Sequence, residues 1–192
     1  NSYIFIWLYL PVVWGGFFLA ARYRNEAAAA WLALASLFFY GYWDAHYVPL
    51  LLLSITVNYQ IGKQISKNVD HKMPARAKSW LICGLVFDLG LLGYYKYTGF
   101  LLNSWVDLTD ITIPDIILPL GISFFTFTQI AYLADCHKGI VKERNPVHYL
   151  LFITYFPHLI AGPILHHKQM MPQFAQAKTY IINQENIAVG LT

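Results

Sequence analysis

The sequence predicts an all-α, polytopic membrane protein, and three observations predict it. Of its 192 residues, 57% are hydrophobic and only 12% are charged, about half the charge that a soluble domain carries. So few charges cannot coat a globular surface, so the apolar surplus needs lipid as its solvent. The apolar runs recur to the end of the chain, unlike a signal peptide followed by a soluble domain. Polar loops between the runs alternate in sign of charge, as a chain threading back and forth through a bilayer requires.

A spanning helix needs about 20 mostly apolar residues. Six segments qualify as candidates, some short or broken by proline: Tyr3–Ala20, Ala27–Trp43, Tyr47–Ile61, Ser79–Leu102, Ile117–Ala134 and Val147–Leu165. The first connection carries Arg22 and Arg24; the second is the acidic turn Asp44–His46. The third, Gly62–Lys78, holds Lys63, Lys67, Lys72, Arg76 and Lys78 against Asp70. The fourth, Asn103–Asp115, has Asp107, Asp110 and Asp115 and no base; the fifth, Asp135–Pro146, has Lys138, Lys142 and Arg144. The positive-inside rule puts the basic loops in the cytoplasm and Asn1 outside. The stretch after Leu165, with Lys168 and Lys178, fits an interfacial helix better than a plain outer loop. A basic loop of spread lysines between spans reads as solvated and lying beside anionic lipid, not as a nucleic-acid site.

The ends bear on domain organisation. The chain starts at Asn1, and its last residues, "NIAVGLT", read as the opening turn of another apolar helix. Residues 1–192 are therefore expected to form the N-terminal part of one multi-helix membrane domain that continues beyond Thr192. The two cysteines, Cys83 and Cys136, lie far apart with no CxxC, which points to free thiols and not a disulfide framework.

Polar groups at membrane depth face protein or a water-filled space, because lipid offers no hydrogen bonds. Three places stand out. In "FDLGLLGYYKYTGF" (Phe87–Phe100), Asp88 is well inside a span; it either hydrogen-bonds a neighbouring helix or lines a polar cavity, whereas Lys96 can snorkel to the interface. In "LPLGISFFTFTQIAYLAD" (Leu118–Asp135), Ser123, Thr126 and Gln129 recur every three residues and share one side of a helix, as interhelical glue or as a channel wall. Pro119 and Gly121 mark a loosened entry to that helix. In "YFPHLIAGPI" (Tyr155–Ile164), Pro157 and Pro163 each free a backbone acceptor, and Thr154, His158 and Gly162 follow at four-residue spacing. A helix broken in this way is tolerated where protein or water re-satisfies its backbone. His158 is either a structural donor or a proton relay. The adjacent pair His166 and His167 points apart on a helix and has no acidic or thiol partner nearby, so no metal site is expected. No P-loop, G-x-S-x-G or HExxH motif is present.

Four blocks, "SLFFYGYWD" (Ser36–Asp44), "LGLLGYYKYTGFL" (Leu89–Leu101), "LPLGISFFTFTQIAYLADCHKG" (Leu118–Gly139) and "HYLLFITYFPHLIAGPI" (His148–Ile164), resemble the membrane-bound O-acyltransferase family. The likeness is to its bacterial branch of alginate O-acetylation and teichoic-acid D-alanylation proteins. The resemblance implies a multi-pass protein of the bacterial cytoplasmic membrane with a tunnel through the helices. It implies O-acyl transfer, most often of acetyl, from a cytoplasmic thioester to hydroxyls of an exported polysaccharide or cell-wall polymer. The donor would be acetyl-CoA or a carrier-bound thioester, with no tightly held cofactor. Expected partners are the lipid bilayer, the polysaccharide acceptor and periplasmic acetylation proteins, and no nucleic acid. The family's catalytic histidine, in a tryptophan–histidine pair, is expected beyond Thr192, so no catalytic residue is assigned here. Ser123, Thr126, Gln129, Thr154, His158 and Gly162 are assigned to the tunnel lining or its support, with Asp88 bracing it. Two other classes remain open: a transporter or channel subunit with broken helices, and a non-catalytic scaffold of a polysaccharide export complex.

Overall fold

A computed structural model describes residues 2–98, 118–141, 145–156, 167–184 and 188–189. Among the described residues all regular structure is helical, with no strand. The chain opens with a short helical turn, Ser2–Ile4, and a π-helical stretch, Phe5–Tyr9, that run without a break into α1 (Leu10–Ala21). Then come α2 (Asn25–Trp43), a 3-10 turn at Ala45–Tyr47, α3 (Val48–Asp70) and α4 (Pro74–Leu92), the last extended by a π-helical stretch, Gly93–Tyr97. After these follow α5 (Ile122–His137), α6 (Pro146–Thr154), α7 (His167–Phe174) and a 3-10 turn at Ala177–Tyr180.

By length and composition one described helix, Pro74–Tyr97, is apolar enough to cross a bilayer on its own terms, and Phe5–Ala21 is apolar but shorter. The Gly62–Lys78 connection is shorter than its composition predicts. Residues 62–70 continue α3, and only 71–73 separate it from α4. The reason is that Ile61, Ile65 and Val69 extend the buried stripe at helical spacing, while the lysines and glutamine between them are good helix formers. The segment predicted as Val147–Leu165 also differs. Its helix stops at Thr154, three residues before Pro157, with Tyr155 already extended at ψ 104°. Phe156 is helical again, so the helix is interrupted at Tyr155 just ahead of Pro157. Residues 157–166, which hold His158, Gly162 and Pro163, lie outside the described residues.

Two packing units share α6. One is α1 on α2. The flat ring of Trp31 lies over Gly16, where a Cβ would sit 2.4 Å from the indole, and its Nε1–H donates to the Val13 carbonyl at 3.1 Å. Tyr9 donates its hydroxyl to the Ala35 carbonyl at 2.7 Å, and its ring and those of Phe5, Phe39 and Phe156 pack together, mostly edge-to-face or tilted. The other unit is the three-helix packing of α3, α4 and α5, whose core includes Leu51, Ile65, Phe125 and Leu133. Helix α6 lies against α2 and touches both α3 and α5, with Leu151, Phe152 and Ile153 all buried.

Local signals fix the helix ends. Gly121 takes φ 70°, the left-handed region that glycine enters without strain, and α5 starts at the next residue, so Pro119 and Gly121 do mark its entry. Asn145 caps α6 by accepting from the Val147 N–H at 2.8 Å, with Pro146 at the first helical position. The short α7 sends Met171 into the core, and its final carbonyls are taken up by Thr179 and Tyr180 at 2.6 Å each. Burial pushes the Tyr180 phenol above its ordinary pKa, so this bond is made by the neutral hydroxyl.

Candidate functional site: a buried polar cluster among three helices

Helix α3 brings Ser54 and Asn58, one turn apart, to its buried face. Helix α4 brings Asp88 and α5 brings Thr126 and Gln129 to the same interior. Small residues let the backbones approach there. A Cβ at Gly62 would lie 2.6 Å from the Tyr132 ring, and one at Gly84 would lie 2.4 Å from Leu133.

The polar atoms form one network. Asn58 donates from Nδ2 to Asp88 Oδ1 at 2.7 Å, to Gln129 Oε1 through a very short contact, and to the Ser54 carbonyl at 3.1 Å. Ser54 donates its hydroxyl to the same Gln129 Oε1 at 3.1 Å. Two amide protons thus serve three acceptors, and Asn58 is the hub. Among the described residues, Asn58 Oδ1, Asp88 Oδ2, Gln129 Nε2, Thr126 Oγ1 and the Tyr149 hydroxyl are buried without a hydrogen-bond partner. Tyr149 packs on Tyr132 with tilted rings at 4.4 Å between ring centroids. A buried polar group without a partner costs free energy, so the spare donors and acceptors of this cluster can take up water or another polar group. What it offers is a carboxyl group and amide oxygens to accept, and an amide N–H and hydroxyls to donate. Among the described residues no three His, Cys, Asp or Glu side chains come together as a metal-holding group.

Of the residues singled out in the sequence, Asp88 and Gln129 meet in this network through Asn58. Thr126 is buried one turn before Gln129, and Ser123 is partly exposed near the start of α5. Thr154 is fully buried at the end of α6 and donates back to the Leu150 carbonyl at 2.8 Å. His158 and Gly162 lie outside the described residues. Ser54 and Asn58 were missed. The available signal was their four-residue spacing inside the apolar run "LLLSITVNYQI". Lys96 is exposed, with its ammonium 5.6 Å from the Tyr97 ring centroid. Cys83 is exposed and Cys136 buried, and among the described residues neither forms a disulfide.

This is a helical chain of strongly apolar composition with a carboxyl group and two amides tied together inside it. Comparison with known proteins says which kind. The chain is 39% identical to the peptidoglycan O-acetyltransferase of Helicobacter pylori, aligned over 100% of this chain and 41% of that protein. It is 38% identical to the "Probable alginate O-acetylase" of Pseudomonas aeruginosa over 91% of this chain and 34% of that protein. A shorter match, 36% identical over 31% of the chain and 15% of the relative, is to the teichoic acid D-alanyltransferase of Bacillus subtilis. The chain belongs to the membrane-bound O-acyltransferase family. It spans about two fifths of the length of the first of these relatives and a third of the second. No family model matches the chain, and no solved structure does.

Proposed function

We propose that this chain is part of an O-acyltransferase of the bacterial cytoplasmic membrane. It moves an acyl group, most simply acetyl, from a cytoplasmic thioester such as acetyl-CoA or an acyl carrier to hydroxyls of an exported polysaccharide or cell-wall polymer. What carries this is the 39% identity to a peptidoglycan O-acetyltransferase over the whole chain. In this reading six segments thread the membrane with Asn1 outside, so the basic end of α3 and the α5–α6 connection face the cytoplasm.

The chemistry fits the cluster. An acceptor hydroxyl becomes a nucleophile when a base removes its proton during attack. That base is assigned to a histidine C-terminal to this chain, in keeping with the family resemblance. The tetrahedral oxyanion needs donors in a water-poor site. Gln129 Nε2, Thr126 and Tyr149 are donors of that kind, buried and without a protein partner among the described residues. In this reading the cluster supports the wall of an acyl-transfer tunnel, and Ser123, Thr154, His158 and Gly162 are assigned from the sequence to that lining or its support. The partners are the polymer acceptor and the periplasmic proteins that act on it.

The test is acyl transfer by the full-length protein in membrane vesicles of defined sidedness, supplied with radiolabelled acetyl-CoA and a polysaccharide acceptor. Alkali-labile label on the polymer is expected when the donor reaches the cytoplasmic face. If the protein is stably inserted and no acyl ester forms from acetyl-CoA or an acyl-carrier thioester, the enzyme assignment fails and a scaffold role replaces it.

A further inference from the structure

The last three turns of α3 carry a second polar feature, independent of the acyl-transfer reading. Tyr59, Lys63, Ser66, Lys67, Asp70 and His71 succeed one another at helical spacing, and together with Tyr132 of α5 they line a cavity of about 420 Å³. That volume is within the range of small-molecule sites and exceeds what a bare inorganic ion needs. Lys63 and Lys67 are one turn apart and exposed, and among the described residues neither ammonium has an ion-pair partner. Asp70, the carboxylate on this wall, already has an interaction of its own.

A helix C-terminus normally repels an anion through its free carbonyls. Here they are covered. The N–H of His71 bonds the Lys67 carbonyl at 3.0 Å, that of Lys72 bonds Val69 at 3.0 Å, and that of Met73 bonds Asn68 at 2.8 Å. The wrap closes with Lys72 in the left-handed region at φ 56°. Two unpaired ammonium groups therefore face a hollow whose nearest backbone acceptors are occupied.

We propose that this cavity binds the phosphate of a phosphate-bearing ligand, held by Lys63 and Lys67, with the rings of Tyr59 and Tyr132 flanking the group attached to it. Two sources share that chemistry: the headgroup of an anionic phospholipid, and a soluble phosphorylated small molecule. Ammonium–phosphate hydrogen bonds are charge-assisted and strong enough for either.

The experiment is lysine footprinting of the full-length protein in nanodiscs with a water-soluble amine-acylating reagent, read residue by residue by mass spectrometry. Lys72 and Lys78, both exposed but outside the cavity, are the internal references. One arm adds inorganic pyrophosphate to phosphatidylcholine discs; the other replaces part of the phosphatidylcholine with phosphatidylglycerol. Several-fold protection of Lys63 and Lys67 over the references is expected in at least one arm. Protection by phosphatidylglycerol alone names the lipid source, by pyrophosphate alone the soluble source, and by both the shared phosphate chemistry. Unchanged reactivity in both arms, or equal protection of all four lysines by a diffuse field, overturns the proposal. As a second check, the double variant Lys63→Gln/Lys67→Gln should weaken binding of the protecting probe about tenfold or more, and Lys78→Gln should not. Because the readout is binding, its failure leaves the acyl-transfer assignment untouched, and the reverse also holds.

Discussion

Asn58 and Asp88 are partners, but they are not equivalent, and the difference gives a testable asymmetry. Asn58→Ala removes the hub. Asp88 then loses its hydrogen-bond donor at 2.7 Å while remaining fully buried, with Oδ2 already unpaired among the described residues. Leaving a buried carboxyl group without its donor sits at the upper end of the cost of an unsatisfied buried polar group, so about 3 kcal/mol of destabilisation is expected. Asp88→Ala is milder. The two Asn58 protons still have the Ser54 carbonyl and Gln129 Oε1, so no donor is orphaned. The lost hydrogen bond is offset by no longer burying a half-satisfied carboxyl group, leaving about 1 kcal/mol. The double variant should cost about 1–2 kcal/mol, less than Asn58→Ala alone, a coupling of about 2–3 kcal/mol. That coupling is larger than the about 1–2 kcal/mol of typical interhelical hydrogen bonds in membranes, because Asn58 serves several acceptors at once. The assay is reversible denaturation in mixed micelles followed by tryptophan fluorescence, for which the chain's six tryptophans suffice. Asp88→Ala as costly as Asn58→Ala, or single effects that simply add to within about 0.5 kcal/mol, would refute the hub assignment.

Two more outcomes follow from packing and capping. Gly62→Ala should destabilise by about 1–3 kcal/mol, because the new methyl meets the Tyr132 ring and that ring is backed by Tyr149. Gly90→Ala, with nothing within 4 Å, should be neutral or gain about 0.5–1 kcal/mol from helix propensity; equal effects at the two sites in the same denaturation assay would contradict the close approach of α3 and α5. Asn145→Ala removes the cap on the Val147 N–H and should cost about 1 kcal/mol. Amide hydrogen exchange should report it as faster exchange confined to the first turn of α6, and unchanged exchange there would show that the cap contributes nothing.

The helical class was legible because apolar periodicity and loop charge are local properties of the chain. Asp88 and Gln129 were legible for a related reason: a carboxylate or amide inside an apolar run is costly and must have a use. Their meeting point was not legible. Asn58 lies 30 residues from Asp88 and 71 from Gln129, and no local pattern encodes a partner at that distance. The end of α3 was misjudged because lysine was read as a loop signal. Lysine ends a membrane run by composition, yet it favours the helix, and the buried stripe through Ile65 and Val69 carried α3 onward. The same misreading hid the cavity beside Lys63 and Lys67, which exists only because both stand on one helical face. The proline-bearing segment was read as a broken helix, and α6 is indeed interrupted at Tyr155, just ahead of Pro157.

The hub also acts as a vernier between neighbouring rods. Apolar faces of α3, α4 and α5 offer packed helices many nearly equivalent sliding positions, one for each turn of about 5.4 Å. Only one of these keeps Asn58 level with both Asp88 and Gln129; one turn away on α4 and α5 stand Gly84, Leu92, Phe125 and Leu133. The axial register of the three helices is therefore indexed by four side chains, Ser54, Asn58, Asp88 and Gln129. Whatever the three helices hold between them is kept at a fixed height relative to the lysine-rich end of α3.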